Sequence, residues 1–206
     1  MTCFKPWDKM TAIEKVADAG LLELPQWYGD ESRFISEHGG STFAEIFLNL
    51  TCKWGRNDGP WLLDLWMAEA QIFSDGFLSD VLADIWCAAE NPESGVPRAT
   101  WRKWFQMAAY QKPSGPLKVY RGATAHHRLG MSWTLSKKQA TWFAQRYTAA
   151  TSGRPTHVYG AIADPDAVLC LVDEACSDGG RDEQEVVISP RRLREISRLP
   201  ANRGAN

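Results

Sequence analysis

The sequence predicts an α+β protein, with a helical region over residues 1–112 and a strand-rich core over residues 113–206. Three observations carry this. Apolar residues recur at helical spacing in the first region, and eight of the ten tryptophans fall there, Trp133 and Trp142 being the other two. Lys112, Pro113, Ser114, Gly115 and Pro116 then form a cluster that suits neither helix nor strand. Beyond it, short runs alternate apolar and polar side chains, the period of a half-buried strand.

In chain order, Thr11-Ala12-Ile13-Glu14 is a capping box ahead of a short helix that Gly20 stops. Ser41 caps a helix striped by Phe43, Ile46, Phe47, Leu50 and Trp54 and ended by Gly55. Asn57, Asp58, Gly59 and Pro60 open another, striped by Leu62, Leu65, Trp66, Ile72 and Phe73 and closed at Gly76. Ser79 reads as the cap of a helix carrying Leu82, Ile85, Trp86 and Ala89. Thr100 reads as the cap of one carrying Trp101, Trp104, Phe105 and Ala108. Stripes at this spacing are built for burial, so the aromatics are expected in a core.

Strands are expected over 117–121, 131–135 and 157–162, and the continuous apolar run 167–172 suits a buried strand. A helix over 137–147, capped by Ser136, presents Ala140, Phe143, Ala144 and Tyr147 on one face.

Composition narrows the function classes. An apolar fraction of 44% with 23% charged residues describes an ordered globular chain. A net charge of -2 gives no bulk attraction to nucleic acid or to a membrane surface. Cys3, Cys52, Cys87, Cys170 and Cys176 are odd in number and scattered, which suits reduced thiols rather than a disulfide framework or zinc site. There is neither an apolar signal-peptide core nor a run of membrane-spanning length, so a soluble, cytoplasmic protein is expected. His126 and His127 would face opposite ways in a strand, and no metal site is expected. Arg191, Arg192, Arg194, Arg198 and Arg203 read as a solvated terminal face, with phosphate contact as the alternative.

The chemistry-bearing stretch is the run from 181 to 188, RDEQEVVI, which leaves the Gly179-Gly180 turn and enters an apolar strand. In extended backbone Glu183 and Glu185 share one face, while Val186 and Ile188 point the other way, toward a core. Paired carboxylates resist joint ionisation, which acid/base or cation-stabilising chemistry can use. A solvated edge strand bearing two glutamates is the plain alternative. Upstream stand Val119-Tyr120-Arg121-Gly122, with an arginine at a strand end, and Ser132-Trp133-Thr134, with two hydroxyls on one strand face.

In this order, with an A-x-x-F-A helix after the second, the three motifs resemble the R-S-E class of ADP-ribosyltransferases over roughly residues 116–196. The resemblance implies a core of two packed antiparallel sheets that cleaves NAD+ as a co-substrate and passes ADP-ribose to a macromolecular acceptor. It implies cofactor-binding roles for Arg121 with Gly122, holding phosphate, and for Ser132 and Thr134, shaping the nicotinamide pocket. Glu185 matches the family's catalytic glutamate, which stabilises an oxocarbenium-like transition state. Glu183 matches the first glutamate of the E-x-E version, associated with protein arginine as acceptor. The segment 173–182 occupies the place of the substrate-recognition loop. Two features depart from the pattern: only eleven positions separate Arg121 from Ser132, and the second hydroxyl is a threonine.

No G-x-G-x-x-G opens a βαβ unit, as suits NAD+ consumed rather than recycled. Compact members of the family are toxins, effectors and phage-encoded modifiers. Three alternatives stay open: an NAD+ glycohydrolase with water as acceptor, modification of a nucleic-acid base, and a catalytically silent binding module. Polymer formation is not expected, because the branching enzymes of the superfamily carry a histidine where Arg121 stands.

Overall fold

A computed structural model of the chain describes residues 57, 59–69, 76–150, 155–176 and 183–200. The helices expected over 11–20 and 41–55 lie outside the described residues, as do Ile72, Phe73 and the side chains of Leu62, Leu65 and Trp66. The architecture is mixed α+β, a helical N-terminal region followed by a curled antiparallel sheet, and the chain divides into compact units Met1–Trp104 and Phe105–Asn206.

The described elements of the first unit are helical. Helix α1 spans Gly59–Glu69, with Pro60 in its first turn, where a missing N–H costs nothing. Helix α2 (Phe77–Ala88) buries Phe77, Leu78, Val81, Leu82, Ala83, Ile85 and Trp86. It begins earlier than Ser79 suggests. Gly76, at φ 103°, turns the chain into the helix, and the Ser79 hydroxyl donates back to the Gly76 carbonyl at 2.6 Å from within the first turn. The Glu90 amide donates to Asn57 Oδ1 at 2.9 Å, tying the end of α2 to the approach of α1.

A single turn, α3 (Pro92–Gly95), precedes α4 (Arg98–Ala108). Thr100 likewise sits inside the first turn of its helix, because the Pro97 carbonyl already accepts from the Thr100 and Trp101 amides. Trp86 and Trp101 meet edge-to-face at 4.9 Å, and Trp101 and Trp104 at 5.2 Å. The fully buried Trp101 indole N–H donates to the Pro92 carbonyl at 2.9 Å, so its one polar group is satisfied.

The second unit holds strands β1 (Leu117–Thr124), β2 (Ser132–Thr134), β3 (Thr156–Ala163), β4 (Val168–Leu171), β5 (Glu185–Ile188) and β6 (Leu193–Arg198), with helix α5 (Lys137–Ala150) between β2 and β3. A one-turn α6 (Val172–Ala175) follows β4 directly. The strands form one antiparallel sheet in the order β4-β5-β2-β1-β3-β6, where the resemblance implies two packed antiparallel sheets. One pairing, Tyr120 with Thr134, bridges β1 to β2 and makes the sheet continuous. By contrast β1 and β3 pair from Leu117–Ala163 to Thr124–Thr156.

Val119, Trp133, Tyr159, Ala161, Val186 and Ile188 cluster on one face of the sheet as its core. Alternation puts Gly122 on the other face, against α5. A side chain there has no room: a Cβ on Gly122 would stand 2.2 Å from the Ala140 carbonyl oxygen and 2.5 Å from the Ala144 nitrogen. Ala140 and Ala144, both buried, complete this close helix-on-strand contact. Ser136 caps α5 as expected, its hydroxyl accepting from the Gln139 amide at 3.2 Å.

Arg191, Arg192, Arg194 and Arg198 are exposed, as a solvated face requires, and the last two lie on strand β6; Arg203 lies outside the described residues. The strand is a sheet edge whose exposed, polar sequence lacks an apolar alternation to announce it. Arg194 clasps Asp164 through two bonds of 2.6 and 2.5 Å, and Arg192 reaches Asp166 at 2.9 Å. Among the described residues no helix is long and apolar enough to cross a membrane.

Candidate active site

The sheet order brings the three motifs together. Arg121 lies on β1, Ser132 and Thr134 on its neighbour β2, and Glu185 opens β5 on the far side of β2. Glu185 pairs with Thr134, and Ser132 with Val187, so Ser132, Thr134 and Glu185 occupy one face of the sheet. Trp133 turns to the opposite face, buried in the core, and its indole donates to the Gly130 carbonyl at 2.8 Å.

Past Tyr120–Thr134 the β1 and β2 backbones stop pairing, and the half-buried Arg121 closes that opening. Its Nε donates to the His127 carbonyl at 3.1 Å and its Nη1 to the Ser132 carbonyl. Thr124 Oγ1 meets His127 Nδ1 at 2.9 Å. The eleven-residue interval is therefore a compact turn fastened by the arginine. Two bonds to main-chain carbonyls also fix the plane of the guanidinium, which a lysine could not do. Gly122, buried beneath α5, gives the helix room to approach.

Thr134 is buried, and its hydroxyl is committed on both sides. It donates to the Glu183 carbonyl at 2.7 Å and accepts from the Ser136 amide at 3.0 Å. The threonine is thus a strut between the E-x-E segment and the start of α5.

The shared-face argument for Glu183 and Glu185 fails on one point. Gln184 between them has φ 50°, in the left-handed region, so the segment is a kinked turn, and extended strand begins only at Glu185. Nothing in the sequence marks this, since neither glycine nor asparagine stands at the position. The kink is held from outside. Gln184 N–H donates to Asp173 Oδ2 at 2.9 Å, and its carbonyl accepts from the Leu135 amide at 2.9 Å. Both glutamates are half-buried. Asp173 is the residue the motifs miss; the only signal for it is an aspartate placed directly after a buried apolar strand. In the segment 173–182, residues 173–175 belong to α6, Cys176 is buried, and 177–182 lie outside the described residues.

Glu185 also acts on its surroundings. Burial pushes the Cys170 thiol up to about 12, and the Glu185 carboxylate adds to the rise while Lys112 opposes it. Burial lowers Lys112 from its ordinary value, and its ammonium donates to the Val168 carbonyl. Among the described residues no cluster of three or more His, Cys, Asp or Glu side chains could hold a metal ion. Chemically, the guanidinium held on β1 suits an anion and the half-buried carboxylates suit a developing cation, while alternation along β1 puts Arg121 on the face of Val119, opposite the one that Ser132, Thr134 and Glu185 share. Comparison of the chain with protein-family models, with curated proteins and with solved structures finds no match in any of the three.

Proposed function

We propose that the chain is a mono-ADP-ribosyltransferase of the R-S-E class, cleaving NAD+ and transferring ADP-ribose to an arginine side chain of a protein. The observation that carries the reading is the register: Glu185 stands across from Thr134, on the strand beside the one whose Ser132 carbonyl Arg121 holds. Motifs far apart in the chain thus meet on three adjacent strands. On this reading the two three-stranded halves of the sheet, joined at Tyr120–Thr134, correspond to the two packed sheets of that family.

The donor set suits the co-substrate. Arg121 carries a permanent charge and a fixed plane for a phosphate of NAD+. Ser132 lies on the face of Glu185 and lines the nicotinamide pocket, whereas Thr134 acts through the Glu183 carbonyl it holds. The bond from ribose C1′ to the nicotinamide nitrogen breaks, and its electron pair leaves with neutral nicotinamide. Positive charge develops on the ribosyl carbon, and the Glu185 carboxylate stabilises it. A guanidinium nitrogen of the acceptor bonds to C1′ and gives up its proton to Glu183, because a protonated guanidinium is a poor nucleophile.

The test follows nicotinamide release and label transfer together, with adenylate-labelled NAD+ and an arginine-rich peptide. Wild-type protein is expected to do both, Glu183→Gln to release nicotinamide with little transfer, and Glu185→Gln to do neither. Release without any label on protein indicates the glycohydrolase, and label on added nucleic acid indicates base modification. Absence of both release and NAD+ binding leaves a binding module.

A further inference from the structure

The left-handed Gln184 between the two glutamates is held from two sides. On one side the amide of Leu135, directly after β2, donates to its carbonyl, and the Thr134 hydroxyl donates to the neighbouring Glu183 carbonyl. From the opposite side comes one carboxylate, Asp173, accepting the Gln184 N–H at 2.9 Å. Strands β4 and β5 pair antiparallel with Leu171 opposite Val186, so continuing that register would place residue 173 opposite Gln184. The β4 backbone does not continue. It turns into α6 at Val172, and the Asp173 side chain supplies the acceptor that a ladder carbonyl would otherwise provide. The arrangement is costly, because the other oxygen, Oδ1, is buried without a hydrogen-bond partner. A strained residue held from several sides at a pair of carboxylates is a device for aiming one of them.

We propose that Asp173 is a positioning residue that sets the Glu183–Gln184–Glu185 kink, and thereby decides whether ADP-ribose passes to the acceptor or to water. The proposal rests on the transferase reading. Glu185 is fixed by its own ladder pairing with Thr134 and does not depend on Asp173 for its place. Glu183 lies before the strand, and its direction follows the Gln184 backbone. Loss of the Asp173 acceptor therefore removes one of the holds on the kink, loosening Glu183, and leaves Glu185 in register. Cleavage of NAD+ continues while capture by the acceptor falters.

The experiment measures nicotinamide release and label on an arginine-rich peptide for wild type, Asp173→Asn and Asp173→Ala, each verified as folded by its thermal melt. Asparagine retains an acceptor oxygen for the Gln184 amide. The expected result is a release-to-transfer ratio about tenfold higher in Asp173→Ala, with Asp173→Asn near wild type. Amide exchange at Gln184 should be faster in Asp173→Ala than in Asp173→Asn. A ratio unchanged in Asp173→Ala, with both activities lowered together, overturns the positioning role alone. Wild-type protein that leaves NAD+ intact overturns the transferase reading, and this role with it. If Asp173→Ala does not fold, Asp173→Ser, whose hydroxyl falls short of the Gln184 amide, must show the raised ratio for the proposal to stand.

Discussion

Thr134 serves Glu185 and Glu183 by different means: its backbone pairs with Glu185 across the β2–β5 ladder, and its hydroxyl donates to the Glu183 carbonyl at 2.7 Å. One residue of a three-residue strand thus fixes the relative placement of both carboxylates. Its neighbour on the same face, Ser132, has its carbonyl held by Arg121. Strand β2 is where all three motifs are joined.

Replacing Thr134 by valine keeps the shape and removes the hydroxyl. The Glu183 carbonyl loses a donor and the Ser136 amide loses an acceptor at a buried position. A loss of about 1–3 kcal/mol is expected in urea denaturation. Transfer to an arginine-rich peptide should fall more than nicotinamide release, because the glutamate released is Glu183.

Gly122→Ala is expected to be severe. The added carbon meets helix backbone on both sides, at 2.2 Å from the Ala140 oxygen and 2.5 Å from the Ala144 nitrogen, so no flexible side chain can yield. Overpacking against backbone should cost about 3 kcal/mol, read as a lowered midpoint of denaturation. Near-wild-type stability would show that α5 does not rest on β1 as described.

Cys170 makes a pH-dependent contribution. Its thiol is pushed from 9.0 to about 12 in the folded chain, chiefly by burial and further by Glu185. Between those values the unfolded chain releases the proton while the folded chain keeps it, so this contribution is complete below pH 9 and fades as pH rises toward 12. Cys170→Ala should flatten the loss of stability over that window. In the native wild-type protein at pH 8, Cys170 should resist alkylation, and in denaturant it should react.

Much of the fold is legible in the sequence because it depends on patterns within one element. The strand at 157–162 alternates, the helix after Ser136 has its cap and its small-residue face, and the breaker cluster at 112–116 precedes β1. What escapes depends on partners. Ser79 and Thr100 are good cap residues by type, but Gly76 and Pro97 start their helices a turn earlier. β6 carries little apolar signal because it is an exposed edge, and its Arg194 pairs with Asp164 elsewhere in the chain. Gly122 reads as half of an arginine–glycine motif, while its close approach to α5 becomes visible only in three dimensions.

The candidate site divides in the same way. Arg121, Ser132, Thr134 and Glu185 are legible from motif order, and the sheet sets them on adjacent strands. Gln184 carries no residue type that favours positive φ, so the kink, and Asp173 with it, follows from hydrogen bonds between segments distant in the chain.

The most direct test of the transferase reading is nicotinamide release from NAD+ by purified wild-type protein beside Glu185→Gln. Glutamine keeps the size of the side chain and the β2–β5 register, so the thermal melt should hardly move, while removal of the charge that meets the ribosyl cation should lower release by about a hundredfold or more. Release by wild type that survives in Glu185→Gln, or no release by wild type under any acceptor condition, would contradict the account.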